Sequence, residues 1–245
     1  MPMVIGAVDP QEAAQFAALA DRWWDAEGPF RPLHRLGPTR MRFLVNAVER
    51  HFGRTPGINQ MEGLTAIDIG CGGGLATEPL ARLGAKASGL DVTDENIAAA
   101  RAHAEESNLE IDYQRGTAEG LAAAGVVYDI VLSLEVVEHV PDPEAFLEAT
   151  ATLVAPGGLL VLATINRTLK SLALAKFAAE YVLRWLPPGT HDWRKFMKPS
   201  EIARPLRAVG LTVDRVEGAI YQPVTDNWCL GPDTSMNYML AATRQ

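Results

Sequence analysis

With 245 residues, 48% of them apolar, and a net charge of −8, the chain can bury a full core and form one large α/β domain over 1–245. The acidic balance argues against a general nucleic-acid partner, because phosphate-backbone affinity depends on clustered Lys and Arg. No charge-free run reaches the roughly 18 residues of a membrane span, and no signal-peptide pattern opens the sequence. Two cysteines make no disulfide framework. We therefore expect a protein of the reducing cytoplasm.

Two helical stretches open the chain, at about 11–24 and 38–52, and predict an N-terminal helical cap over about 11–52. Strand-like apolar runs follow, each bounded by Gly, Pro or Asp: 63–70, 85–91, 109–114, 128–134 and 158–165. The helix-like segments between them are 74–83, 94–107 and 143–154. This alternation indicates a parallel sheet with helical crossovers on both faces. Two last runs, 211–220 and 235–244, predict a closing hairpin and hence a mostly parallel sheet of seven strands.

The segment DIGCGGG, residues 68–74, places four glycines within five positions at the end of the first predicted strand. Ligands of such sheets bind beyond the carboxyl ends of the strands, and glycine lets backbone amides approach them closely. The dinucleotide fingerprint needs glycine where Leu75 stands, so that motif is not matched. Asp91 ends the next strand and can accept both ribose hydroxyl protons. The alternatives are a merely tight turn at the glycines and a helix cap at Asp91.

Together with three later segments, the motif DIGCGGG resembles the Rossmann-like, S-adenosylmethionine-dependent methyltransferases. The three segments are TAEGLA (117–122), YDIVLSLEVVEHVPDPEAFL (128–147) and LVAPGGLLVLATIN (153–166). The resemblance implies that S-adenosylmethionine lies at the carboxyl edge of a Rossmann-like α/β sheet. The residues that it implies for cofactor binding are Asp68 before the glycine loop, Gly70 and Gly72 at the methionine part, Asp91 at the ribose, Ala118 and Glu119 at the adenine, and Leu134 beneath the cofactor.

The segment FAALADRWWDAEGPFRPLHRLGPTRMRFL, residues 16–44, is similar to the opening of the ubiquinone-biosynthesis O-methyltransferases. That family methylates polyprenylated hydroxyphenols and demethylubiquinol, which implies a polyprenylated phenol or quinol substrate and other ubiquinone-pathway enzymes as candidate partners. The resemblance also implies that Arg40 reaches the methionyl carboxylate, whereas its position alone suggests a solvated helix residue. Trp23 and Trp24 are either core anchors or a lid over the substrate.

Glu135, Glu138 and His139 follow the fourth predicted strand with the spacing i, i+3, i+4, which places them on one face of a helical turn. Methylation of a phenol requires loss of its proton, because the neutral phenol is a poor nucleophile. The three side chains can hold Mg²⁺ or Zn²⁺, which would lower the pKa of the phenol, and eukaryotic relatives are thought to use such a metal. The alternative is a metal-free site in which His139 is the general base.

Residues 165–198, after the fifth strand, predict a helical insert with seven Lys and Arg against two acidic residues. On a helical wheel Lys170, Lys176, Glu180 and Arg184 share one side, and Trp, Leu and Val residues lie opposite. This pattern favours an interfacial helix over 168–198 that docks on an anionic membrane surface, at the inner face of the membrane. The alternative is a helix that covers the enzyme's own core. The competing functions are methylation of a soluble acceptor and a non-catalytic, cofactor-binding scaffold.

Overall fold

The computed structural model describes residues 8–173 and 193–245, which contain one eight-stranded sheet. Its strands are β1 (Thr65–Ile69), β2 (Lys86–Asp91), β3 (Asp112–Arg115), β4 (Tyr128–Leu134), β5 (Val154–Ile165), β6 (Leu211–Gln222), β7 (Asn227–Gly231) and β8 (Asn237–Arg244). The order across the sheet is β3-β2-β1-β4-β5-β8-β6-β7. The first five strands are parallel, and the last three pair antiparallel. The predicted Rossmann-like, mostly parallel architecture is confirmed.

The expected number of seven strands is wrong, because β7 adds an eighth strand to the described sheet. This strand pairs with β6 at the sheet edge, with Trp228 opposite Tyr221. Its sequence, NWCLG, is short and lacks a regular apolar alternation. The segment is therefore a strand because it pairs with β6, and no local sequence pattern predicts it.

The helices are α1 (Pro10–Ala17), α2 (Arg31–Phe52), α3 (Thr77–Arg82), α4 (Asp94–Glu106), α5 (Ala118–Ala123), α6 (Pro143–Thr152), α7 (Leu169–Ser171) and α8 (Pro199–Ala208). Side chains of Thr93, Thr117 and Asp142 cap α4, α5 and α6 by accepting a backbone N–H three residues on. Apolar side chains of α2 and α3 cover one sheet face, and those of α5, α6 and α8 cover the other. The helices therefore lie on both faces, as predicted.

The N-terminal cap differs in detail from the prediction. The first helix ends at Ala17 and continues only as a 3₁₀ turn at Ala20–Arg22. The second begins at Arg31, seven positions before the predicted start, and holds Pro38 inside it. The local pattern does not give these ends, because Trp23 and Trp24 between the two helices contact Gly72 and Gly73, which are distant in sequence.

The ends of the predicted insert lie side by side. Trp193 Nε1 donates to the carbonyl oxygen of Thr168 at 2.9 Å, and the Met197 amide donates to Ile165 at 3.2 Å. The central part, 174–192, and with it most of the predicted interfacial helix, lies outside the described residues. None of the helices that the structure describes is long and apolar enough to cross a membrane.

Candidate functional site

The glycine loop follows β1 and requires glycine for both conformation and space. Gly70, Gly72 and Gly74 have φ values of +72°, +54° and +90°, in the left-handed region. A Cβ atom on Gly72 would lie 2.4 Å from the indole ring of Trp23. The glycines therefore allow other groups to approach the loop backbone closely, and a tight turn alone would not require so many of them.

Trp23 and Trp24 anchor the segment between α1 and α2 on this loop. Trp23 is buried, its Nε1 donates to Asn96 Oδ1 at 2.9 Å, and its ring stacks on Phe30 with 3.7 Å between centroids. Trp24 Nε1 donates to the carbonyl oxygen of Gly73 at 2.9 Å. These contacts agree with the interpretation of both residues as anchors.

Asp91 ends β2 beside the glycine loop. One carboxylate oxygen accepts from the Gly72 amide at 3.0 Å, and the other accepts from the Thr93 amide, the Thr93 hydroxyl and Asn96 Nδ2 at 2.9–3.1 Å. The residue that caps α4 is Thr93, so a cap does not account for Asp91. The carboxylate instead joins the loop to the start of α4, at the position where the sequence predicts the ribose.

Asp68 and Arg40 lie buried under the same edge. Burial raises the pKa of Asp68 to about 7, and the Asp91 carboxylate adds to that rise, whereas the Thr77 hydrogen bond and the Arg40 charge oppose it. Arg40 is 7% exposed, so its interpretation as a solvated residue is wrong. Its Nη2 lies 2.9 Å from Glu135 Oε1, yet neither Nε nor Nη2 makes a hydrogen bond of good geometry. A buried guanidinium with such unused donors fits a carboxylate ligand.

The remaining predicted cofactor residues lie at neighbouring strand ends. The Gly116 amide donates to the carbonyl oxygen of Asp91 at 2.9 Å, which places the start of α5, with Ala118 and Glu119, next to the end of β2. Leu134 ends β4, which runs parallel to β1 and beside it. The structure thus gathers the predicted cofactor residues along one edge of the sheet.

Glu135, Glu138 and His139 do not share a helical face, contrary to the prediction. A 3₁₀ turn spans Val137–His139, and Glu135 lies before it with a left-handed φ of +58°. In a 3₁₀ turn successive side chains point about 120° apart. Glu135 pairs with Arg40, whereas the 2%-exposed Glu138 accepts from the Thr164 hydroxyl at 2.9 Å.

His139 contacts a carboxylate from α1. Its Nδ1 lies 3.1 Å from Glu12 Oε2, and the other oxygen of Glu12 accepts from Lys195 Nζ at 3.0 Å. Local sequence gives no signal for this contact, since Glu12 and His139 are 127 positions apart. Glu12 and Lys195 are therefore the site residues that sequence reasoning missed.

The carboxyl groups and the imidazole of this cluster perturb one another. Loss of solvation raises the pKa of Glu138 to about 7, and the nearby Glu135 charge adds to the rise. Burial alone would lower the pKa of His139, but the Glu12 hydrogen bond and the carboxylates around it produce a net rise. The His139 hydrogen bond is the main reason that the pKa of Glu12 falls to about 2, with a further contribution from Lys195.

Comparisons with known proteins show what the chain resembles. A family model described as a methyltransferase domain matches residues 30–216. A protein of Methylobacterium sp. (strain 4-46) is 49% identical over 239 residues, 97% of this chain and 96% of the relative. A protein of Parvibaculum lavamentivorans is 49% identical over 97% of this chain and 94% of its own length. Both relatives carry the name ubiquinone biosynthesis O-methyltransferase.

Solved structures share the fold at lower identity. Magnesium protoporphyrin IX methyltransferase from Synechocystis, with bound S-adenosylhomocysteine, superposes with a TM-score of 0.66 at 21% identity, over 96% of both chains. A S-adenosylmethionine-dependent methyltransferase from Thermotoga maritima gives 0.61 at 16% identity, over 96% of this chain and 99% of that one.

Proposed function

Because the chain belongs to the ubiquinone biosynthesis O-methyltransferase family, we propose that it methylates a phenolic hydroxyl of a polyprenylated ubiquinone precursor. The candidate acceptors are a 2-polyprenyl-6-hydroxyphenol and 3-demethylubiquinol. Membership of the family itself establishes that the protein is an S-adenosylmethionine-dependent O-methyltransferase of ubiquinone biosynthesis. The identity of the acceptor is the part that needs a test.

The proposed cofactor site is built from the glycine loop, the end of β2 and α2. The glycine loop offers backbone surface, Asp91 offers a carboxylate for the ribose, and Arg40 offers buried donors for the methionyl carboxylate. When bound, S-adenosylmethionine supplies a methyl group on a positively charged sulfur. The acceptor phenol loses its proton to a base, its oxygen bonds to the methyl carbon, and the carbon–sulfur bond breaks with its electron pair left on sulfur.

The observation that carries the proposal is the position of His139. It ends the 3₁₀ turn that follows β4, and β4 lies beside β1 and its glycine loop. Val136, three residues earlier, packs so closely on the loop that its side chain lies 2.5 Å from where a Cβ on Gly70 would be. An imidazole at this edge is a suitable general base for a phenol whose pKa is near 10. We assign that role to His139.

A metal ion does not fit the arrangement of Glu135, Glu138 and His139. Each of the three side chains is engaged with a different partner, respectively Arg40, Thr164 and Glu12. Among residues 8–173 and 193–245, no group of three His, Cys, Asp or Glu side chains is arranged to hold a metal ion. No step of the proposed mechanism therefore uses Mg²⁺ or Zn²⁺.

The acceptor is tested by incubating the purified protein with S-adenosylmethionine and a short-chain demethylubiquinol, with mass-spectrometric detection of the methylated product. A water-soluble catechol without a prenyl tail serves as the parallel acceptor. Faster turnover of the prenylated quinol supports the proposal. Preference for the soluble catechol would assign the enzyme to a soluble acceptor, and transfer to neither would reject both acceptor classes.

The proposal includes a membrane-facing insert, which rests on the sequence of 168–198. Its net charge of +5 over 165–198 contrasts with −8 for the whole chain. An acceptor with a long isoprenoid tail resides in the bilayer, so a basic and apolar surface beside the site would give access to it. Peripheral attachment at the inner membrane face and contact with other ubiquinone-pathway enzymes belong to this proposal.

Reversing three charges of the insert, Lys170, Lys176 and Arg184 to Glu, is expected to weaken binding to anionic vesicles by at least about tenfold, since each basic residue near the surface contributes roughly 1 kcal/mol. Co-sedimentation at low salt measures this. The matched control reverses Arg42, Lys86 and Arg207, which are exposed and lie outside the insert. Equal binding by both triple variants, or no binding by the wild type, would contradict a membrane-docking insert.

A further inference from the structure

The contact between Glu12 and His139 joins the N-terminal helix to the proposed base. The distance of 3.1 Å between Glu12 Oε2 and His139 Nδ1 is a hydrogen bond. A carboxylate only accepts, so Nδ1 must carry the proton. In the neutral ring the lone pair then lies on Nε2, the nitrogen on the opposite side.

The surroundings of this pair hold it in one geometry. The side chains of His139 and Glu12 are 16% and 22% exposed, so water screens their interaction weakly. The ring of Phe16, one turn further along α1, packs edge-on against the imidazole with 5.4 Å between centroids. Lys195 binds the second oxygen of Glu12 at 3.0 Å and fixes the plane of the carboxylate.

We infer that Glu12 is a positioning residue for methyl transfer, which fixes the orientation and the tautomer of His139 so that Nε2 takes the phenolic proton. The phenol proton passes to Nε2, the phenolate oxygen bonds to the methyl carbon, and the imidazolium later returns its proton to solvent. Glu12 keeps its charge throughout and stabilises the imidazolium. A carboxylate behind a histidine base has the same task in hydrolytic triads on unrelated folds.

This inference rests on the proposed function, because it assumes that His139 deprotonates a phenol. It differs from a purely structural role, in which Glu12 only docks α1. A positioning role affects only acceptors that need a base, whereas loss of docking affects every acceptor and the cofactor. Two acceptors of different acidity therefore distinguish the two roles.

The test compares Glu12→Ala and Glu12→Gln with Gln11→Ala, an exposed neighbour on the same helix, as matched control. One acceptor is a short-chain demethylubiquinol, protonated at the assay pH, and the other is a nitro-substituted catechol that is already ionised. With the protonated acceptor we expect Glu12→Ala to lower kcat by about 10- to 100-fold. Glu12→Gln should recover most of the rate, because its amide oxygen still accepts from Nδ1.

With the ionised acceptor kcat of Glu12→Ala should stay within about threefold of wild type, as should the KM for S-adenosylmethionine. Equal losses with both acceptors, or no loss with either, would overturn the inference. If the wild type methylates neither acceptor, the result rejects the proposed function instead. A further measurement needs no Glu12 variant: the ¹⁵N spectrum of His139, assigned with His139→Gln and taken where the ring is neutral, should show the proton on Nδ1. A proton on Nε2 would overturn the inference.

Discussion

Replacing His139 with alanine is expected to lower kcat for a protonated phenol by about 10²- to 10⁴-fold and to leave the affinity for S-adenosylmethionine unchanged. The reason is that the neutral phenol, with a pKa near 10, must then ionise by itself. The residual rate of the variant should therefore rise with pH towards that pKa. Steady-state kinetics between pH 7 and about 10 measure the rate, and titration calorimetry measures the affinity.

The matched control is His51→Ala. His51 lies at the end of α2 and bonds to the carbonyl oxygen of Gly157, away from the glycine loop in sequence and in the sheet. Its replacement should leave both kcat and the pH profile as in the wild type. A His139→Ala enzyme with kcat within about threefold of wild type at neutral pH would reject His139 as the base.

Replacing Asp91 with alanine is expected to weaken the binding of S-adenosylmethionine by about 2–4 kcal/mol, or roughly 30- to 1,000-fold in Kd. Two ribose hydroxyls lose their acceptor. The Gly72 amide and Asn96 Nδ2 also lose theirs, so the glycine loop is no longer joined to the start of α4. Calorimetry measures the affinity, and circular dichroism checks that the fold persists.

The control for this variant is Asp94→Ala, three positions further along the chain. Asp94 is exposed and pairs with Arg115 across 2.7 Å, so its loss should change cofactor affinity little. Asp91→Asn keeps one acceptor oxygen and should give an intermediate affinity. Unchanged affinity for S-adenosylmethionine in Asp91→Ala would show that the ribose does not bind at the end of β2.

The order of elements in the parallel half of the sheet could be predicted from the sequence because it is written in local patterns. Apolar runs bounded by Gly, Pro and Asp overlap β1 to β5, with ends that differ by up to four residues, and the side-chain caps of α4 and α6 stand immediately before those helices. The glycine loop and Asp91 are likewise local signals, since each ends a strand. Parallel neighbours bring their carboxyl ends together whatever the rest of the chain does.

The tertiary structure alone decided which side chains meet at that edge. Trp23 lies on Gly72, Arg40 pairs with Glu135, and Glu12 binds His139, each across a long stretch of sequence. The helical turn expected for the segment EVVEH became a 3₁₀ turn, which directed Glu138 to Thr164 instead of towards a shared metal site. Sequence periodicity reports which face of an element is buried, but such contacts arise only when separate elements dock, and their energies depend on partners that no local window contains.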